Sequence, residues 1–124
     1  MGLLDGLMGN ASKVDASKVQ EEFARIMCEG ESIEHAYVLI RDQFIFTNRR
    51  LILVDKQGLT GSKVEYRSIP YRSIVTFSIE TAGTFDLDAE LKIVLSGGIL
   101  IQKTFNKKLS IYEVQQVLAS YVLR

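Results

Sequence analysis

Residues 47–61 read TNRRLILVDKQGLTG. Leu51 to Val54 are four apolar residues in a row, entered through Arg49 and Arg50 and left through Asp55 and Lys56. The basic flanks raise two readings: a loop that holds a phosphate, or an ordinary hairpin. Gly58 and Gly61 follow no phosphate-loop spacing, and no strand-to-helix step comes after them. In an extended strand Arg49 and Arg50 point to opposite faces, so they do not grip one phosphate together. The stretch therefore reads as a strand leading into a hairpin.

Working outward, the chain keeps a period of two from Ser32 to Phe105. Strands are expected near 33–40, 43–47, 50–55, 63–69, 71–80, 90–95 and 99–105. Arg41-Asp42, Thr47-Asn48-Arg49 and Ser96-Gly97-Gly98 supply turns, the last with glycine available for positive φ. The single proline, Pro70, lies between two strand-like runs and suits a corner. Before the strands, Ser17 with Gln20 forms a capping box, and Val19, Phe23, Ile26 and Met27 share one helical face, which predicts a helix over 17–29 ended by Gly30. After them, Ser110 with Glu113 caps a helix over 110–123, with Ile111, Val114, Leu118, Tyr121 and Val122 as its apolar stripe and Val117 beside them. The pattern is mainly β with two helices, and short antiparallel strands close on themselves to hide their edges.

The 124 residues suit one domain, with residues 1–14 as a flexible or partner-ordered segment and 15–124 as the folded unit. Leu3, Leu4, Leu7 and Met8 give that segment an apolar stripe. Lys+Arg and Asp+Glu balance at 15 each, which disfavours nucleic acid as a partner. One cysteine, Cys28, and one histidine, His35, exclude an intrachain disulfide and a zinc site of four Cys/His ligands. Cys28 is expected to pack as a small apolar side chain at a helix end, and His35 to be structural. No apolar run approaches the ~20 residues of a membrane span. The opening MGLLDGLMG lacks a signal peptide's basic region and long apolar core, so a cytoplasmic protein is expected.

The run FTNRRLILVDKQGLTGSKVEYRSIPYRSI (46–74), followed by ETAGTFDLDAELKI (80–93), resembles the bacterial pleckstrin-homology (PH) domains, from about Val14 to the end of the chain. The resemblance implies a PH-like seven-stranded, bent antiparallel barrel capped by the C-terminal helix, with an N-terminal helix in addition. It also implies homo-oligomeric rings, and it brings no enzymatic activity and no established ligand. Phosphoinositide-binding PH domains hold phosphates in the loop joining their first two strands. The matching residues here, LIRDQF (39–44), offer one arginine, Arg41, beside Asp42. Multivalent phosphate binding needs several converging donors, so that ligand mode is not expected.

Charge is segregated along the chain. Arg41 to Arg72 holds seven basic and three acidic residues, Glu80 to Glu90 four acidic and none basic, and Asp15 to Glu34 six acidic and two basic. Opposed blocks of this kind steer association and fix its register. Asp86, Asp88 and Glu90 share one face if extended, yet Leu91 and Gly97 stand where a calcium loop needs glycine and glutamate. No catalytic, cofactor-binding or metal-ligating residue is assigned. Several strands carry apolar residues on both faces: Tyr37 to Ile40, Phe44 to Phe46, Leu51 to Val54, Val94 behind Leu91, Ile93 and Leu95, and Ile99 to Ile101. A small barrel buries one face only, so the second needs a helix or another subunit over it. A homo-oligomeric, head-to-tail ring is expected, with Phe23, Ile26, Met27, Arg49, Arg72, Asp86 and Asp88 as candidate interface residues. The alternatives are a module that binds an extended peptide at a strand edge, and weak membrane attachment through the N-terminal stripe.

Overall fold

The structure, a computed structural model, describes residues 12–39, 42–57, 63–81, 88–106 and 111–124. The Leu3–Met8 stripe, Arg41, the glycines at 58 and 61, Asp86 and the Ser110 cap lie outside these residues. The chain divides after Pro70 into two compact units, taken here in turn.

The first unit is a five-stranded antiparallel sheet in sequential order: β1 (Ser12–Val14), β2 (Ile33–Val38), β3 (Asp42–Thr47), β4 (Arg50–Gln57) and β5 (Lys63–Pro70). β1 was not expected, because three residues carry no readable alternation. Register sorts the side chains into two faces. Tyr37 pairs with Phe44, Phe44 with Leu53, and Leu51 with Phe46 and Ile69, and all of these are buried. Ala36 pairs with Ile45, Ile45 with Ile52, and Gln43 with both Val38 and Val54 on the other face. This second face is covered by the chain itself. Val14, Val19 and Phe23 are buried against Ala36, Val38, Ile45, Ile52 and Val54, with Ile26 and Met27 packed alongside.

The covering segment is a strap with one short helix, α1 (Ala16–Gln20). The expected helix over 17–29 therefore stops nine residues early, at Gln20. Asp15, in extended conformation, is its cap, accepting from the Ser17 N–H at 3.0 Å. Gln20 does not close a box on Ser17; its Oε1 accepts from the Ile33 N–H at 2.8 Å, the first donor of β2. Beyond it the backbone tightens into three-residue turns, Ala24 N–H to Glu21 carbonyl and Ile26 N–H to Phe23 carbonyl. Because the helix has ended, Cys28 is not on a buried helical face but exposed, which corrects the packed position expected for it.

The second unit is a three-stranded antiparallel sheet, β6 (Ile74–Thr81), β7 (Asp88–Leu95) and β8 (Leu100–Asn106), preceded by a 3-10 turn (Tyr71–Ser73) and followed by α2 (Ile111–Val122). Ile111, Val114, Leu118 and Tyr121 form the buried stripe of α2, as their spacing predicts, and the helix packs on β6, β7 and the 3-10 turn. The β7–β8 hairpin turns through Gly97 and Gly98, at φ +90° and +85°, a backbone region that side chains rarely occupy. The seven expected strands correspond to β2 through β8, and the 3-10 turn takes the first three residues of the fifth, expected over 71–80.

Candidate functional site

Arg50, the basic residue that enters the decisive strand, is committed to the fold. It lies on the strap-covered face of β4, where its Nε donates to Glu31 Oε2 at 2.8 Å and its Nη2 to Glu31 Oε1 at 2.9 Å. The same Nη2 reaches the Ile26 carbonyl, and Nη1 donates to Ser68 Oγ at 2.6 Å. Thr47 completes the cluster: its hydroxyl donates to Glu31 Oε2 at 2.6 Å and accepts from the Arg49 and Arg50 N–H groups. The Cys28 N–H and thiol both bond Glu31 Oε1. Burial pushes the Glu31 carboxyl up, but the bonds from Arg50, Thr47 and Cys28 together outweigh it and hold the pKa at about 2. Asn48 adds a backbone clip, accepting from the Ser32 N–H at 2.8 Å and donating to the Gly30 carbonyl at 3.0 Å. The cluster fastens the end of the strap to the β3–β4 hairpin, and every group in it is spent on protein partners. No spacing rule brings Glu31 to Arg50; this is a tertiary contact without a sequence signal.

Arg49 projects from the hairpin turn and is exposed, its guanidinium passing close to Gly30. Among the other candidate interface residues, Phe23 is buried and meets Tyr66 edge-to-face at 5.9 Å. Ile26 and Met27 are half-buried in the strap. These three belong to the strap, whereas Arg49 lies in the β3–β4 turn. Arg72 is exposed in the 3-10 turn, and Asp88 opens β7 opposite Asn106 of β8. His35 packs edge-on to Phe46, with ring centroids 6.4 Å apart. Among the described residues, no three His, Cys, Asp or Glu side chains come together to hold a metal ion. Nor is any described helix long and apolar enough to cross a membrane.

With the second face of β2–β4 covered by the strap, most of the exposed large apolar side chains among the described residues belong to the second unit. Thr76 pairs with Val94 and Val94 with Leu100, which puts all three on the face of the sheet opposite Ile93 and Ile101. Leu100 is 54% exposed and Ile99 48%. A register shift between Ile74 and Thr76 leaves Val75 as an extra residue, 61% exposed. Val94 and Leu100 are legible in the sequence as apolar residues behind the buried row, whereas Val75 is not, because a bulge leaves no trace in periodicity. The far end of the same face is polar, with Lys92 3.4 Å from Glu80 and Gln102 donating to Glu90 at 2.6 Å.

A five-stranded antiparallel sheet, a three-stranded antiparallel sheet and one C-terminal amphipathic helix, in that order along the chain, are the elements of a PH-like domain. The chain belongs to the bacterial PH domain family, whose model matches residues 2–122. It is 58% identical over 122 residues to the uncharacterized protein YjqA of Bacillus subtilis, covering 97% of this chain and 98% of that one. A crystal structure of a pleckstrin-homology domain from Shewanella amazonensis superposes with a TM-score of 0.83 at 49% identity, over 99% of this chain and all of that one. A second, from a pleckstrin-homology domain protein of Shewanella loihica, gives 0.81 at 46% identity, over 92% and 98%. The PH-like fold expected from the sequence is the fold of this chain.

Proposed function

We propose that this chain is a non-enzymatic, cytoplasmic PH-like assembly protein whose copies join head-to-tail into a homo-oligomeric ring. The observation that carries the reading is the pair Val94 and Leu100 on the face of β6–β8 opposite Ile93 and Ile101, with the exposed Val75 and Ile99 beside that face in the chain. Large apolar side chains left exposed together on one end of a folded domain mark an interaction site. A head-to-tail contact buries it against a different surface of the next copy, and closure of the rotation makes a ring. The basic block containing Arg49 and Arg72 and the acidic block containing Asp86 and Asp88 set the register of that contact. A non-enzymatic role is supported by the chemistry of the Glu31–Arg50 cluster, in which every polar group is consumed by structural bonds. The test is the mass of the assembled full-length protein by native mass spectrometry and light scattering, with Leu100→Asp as the disrupting variant. Charge reversal at Arg49 or Arg72 tests the register, and rescue by reversal at Asp86 or Asp88 identifies the pairing.

A further inference from the structure

β5 is the last strand of the five-stranded sheet, and among the described residues no backbone hydrogen bond is made on its outer side. A bare edge of eight residues is a template for another strand. About Tyr66 its side chains carry a pattern that inverts in charge when read backwards, Glu65 on one side and Arg67 on the other. Tyr66, 48% exposed, stands at the centre of Glu65-Tyr66-Arg67, with its ring against the buried Phe23. Glu65 and Arg67 lie on the opposite face from Tyr66. Within the sheet Glu65 is opposite Asp55, and Asp55 is opposite Asp42, so three carboxylates line up across β3, β4 and β5. Like charges directly opposite are destabilising, and a cation brought to the outer side of Glu65 offsets that repulsion.

We propose that β5 pairs antiparallel with β5 of a second copy of this chain about a two-fold axis at Tyr66. Each Glu65 then faces the partner's Arg67, and the two Tyr66 rings meet between the two Phe23 rings. The charges select this register. Two-fold pairing keeps each face in register only when residues of the same face stand opposite each other. Centring on Glu65 sets it against its own copy and Lys63 against Arg67; centring on Arg67 sets Arg against Arg. Centring on Val64 avoids like charges but overlaps only Lys63 to Glu65 within the strand, and centring on Ser68 avoids them too but makes no ion pair and brings Pro70 into the pairing opposite Tyr66. Centring on Tyr66 pairs Lys63 through Ile69 and leaves Pro70, which has no N–H to donate, just outside. The contact is isologous, uses a different surface from the head-to-tail patch, and does not depend on the ring.

The test is disulfide trapping in full-length protein carrying Cys28→Ser and Leu100→Asp, which removes the native thiol and the head-to-tail patch. Tyr66→Cys is expected to form a covalent dimer faster than an exposed control, Tyr112→Cys. Val64→Cys and Ser68→Cys are expected to cross-link with each other and not with themselves. In the same background without added cysteines, Glu65→Arg and Arg67→Glu each weaken dimerisation about ten-fold or more, by placing like charges opposite, and mixing the two variants restores it. That rescue separates lost pairing from lost folding. Tyr66→Cys cross-linking no faster than the control, Val64→Cys cross-linking with itself, or mixing without rescue overturns the proposal.

Discussion

Arg50 holds the Glu31 carboxylate with two nitrogens, at 2.8 and 2.9 Å, across 19 residues of sequence. The fork-to-fork geometry is the strong form of this ion pair, and only arginine supplies it. Its remaining donors reach the Ile26 carbonyl and Ser68, so one side chain ties the strap to both β4 and β5. The strap in turn covers the second apolar face of the sheet.

Acid should loosen this fastening. Glu31 has a folded pKa of about 2 against an ordinary 4.5. A depressed carboxyl contributes stability that is complete above its unfolded pKa and is lost as pH falls toward the folded one. That window runs from about pH 4.5 down to about 2, and the contribution is about 3 kcal/mol. Urea unfolding at pH 7, 4 and 3 should show a steep acid limb in the native protein and a flatter one in Glu31→Gln.

Thr47 is a junction, not a packing residue. Its hydroxyl serves Glu31 and two backbone N–H groups at once. Thr47→Val keeps the shape but orphans those groups, at a cost of about 2–3 kcal/mol. Thr47→Ser keeps the hydroxyl and should cost under about 1 kcal/mol. Equal losses in the two variants, read from chemical denaturation, would show that the hydroxyl is not what matters.

Phe23 anchors the strap among fully buried residues. Phe23→Ala should destabilise the protein by about 3–4 kcal/mol. Amide exchange should accelerate first in residues 14–31 and then in β2–β4, which lose their cover. Uniform acceleration across both units would contradict a strap that acts as a local cover.

Gly30 sits at φ +80° between the strap and β2. Gly30→Ala should cost about 1–2 kcal/mol, because a Cβ disfavours that backbone region. The added methyl also meets an Arg49 nitrogen at 3.3 Å, which a flexible side chain relieves by moving. Thermal unfolding of Gly30→Ala with Arg49→Ala separates the two effects: rescue by the second change would assign the cost to the contact, and its absence to the backbone.

Much of this fold is legible because strands announce themselves locally. β3, β4, β5 and α2 lie within two residues of their expected bounds, fixed by period, turns and stripe. The strap is not legible in the same way. Val19, Phe23 and Ile26 have helical spacing, yet Gln20 is drawn to Ile33 and the Ile26 carbonyl to Arg50, and these distant partners end the helix. The apolar residues on both faces of β2–β4 do demand a cover, as the sequence indicates. The cover is the chain's own residues 14–27, a choice that only tertiary packing settles. Val94 and Leu100 carry the same signal on the second sheet, where Leu100 remains exposed.

The most direct measurement is native mass spectrometry with light scattering on the full-length protein and on Leu100→Asp, at low and high salt. A single discrete homo-oligomer that Leu100→Asp converts to smaller species, with salt weakening it, is the predicted result. A native protein that is monomeric at every concentration and salt, or an oligomer indifferent to Leu100→Asp, would contradict assembly through the outer face of β6–β8.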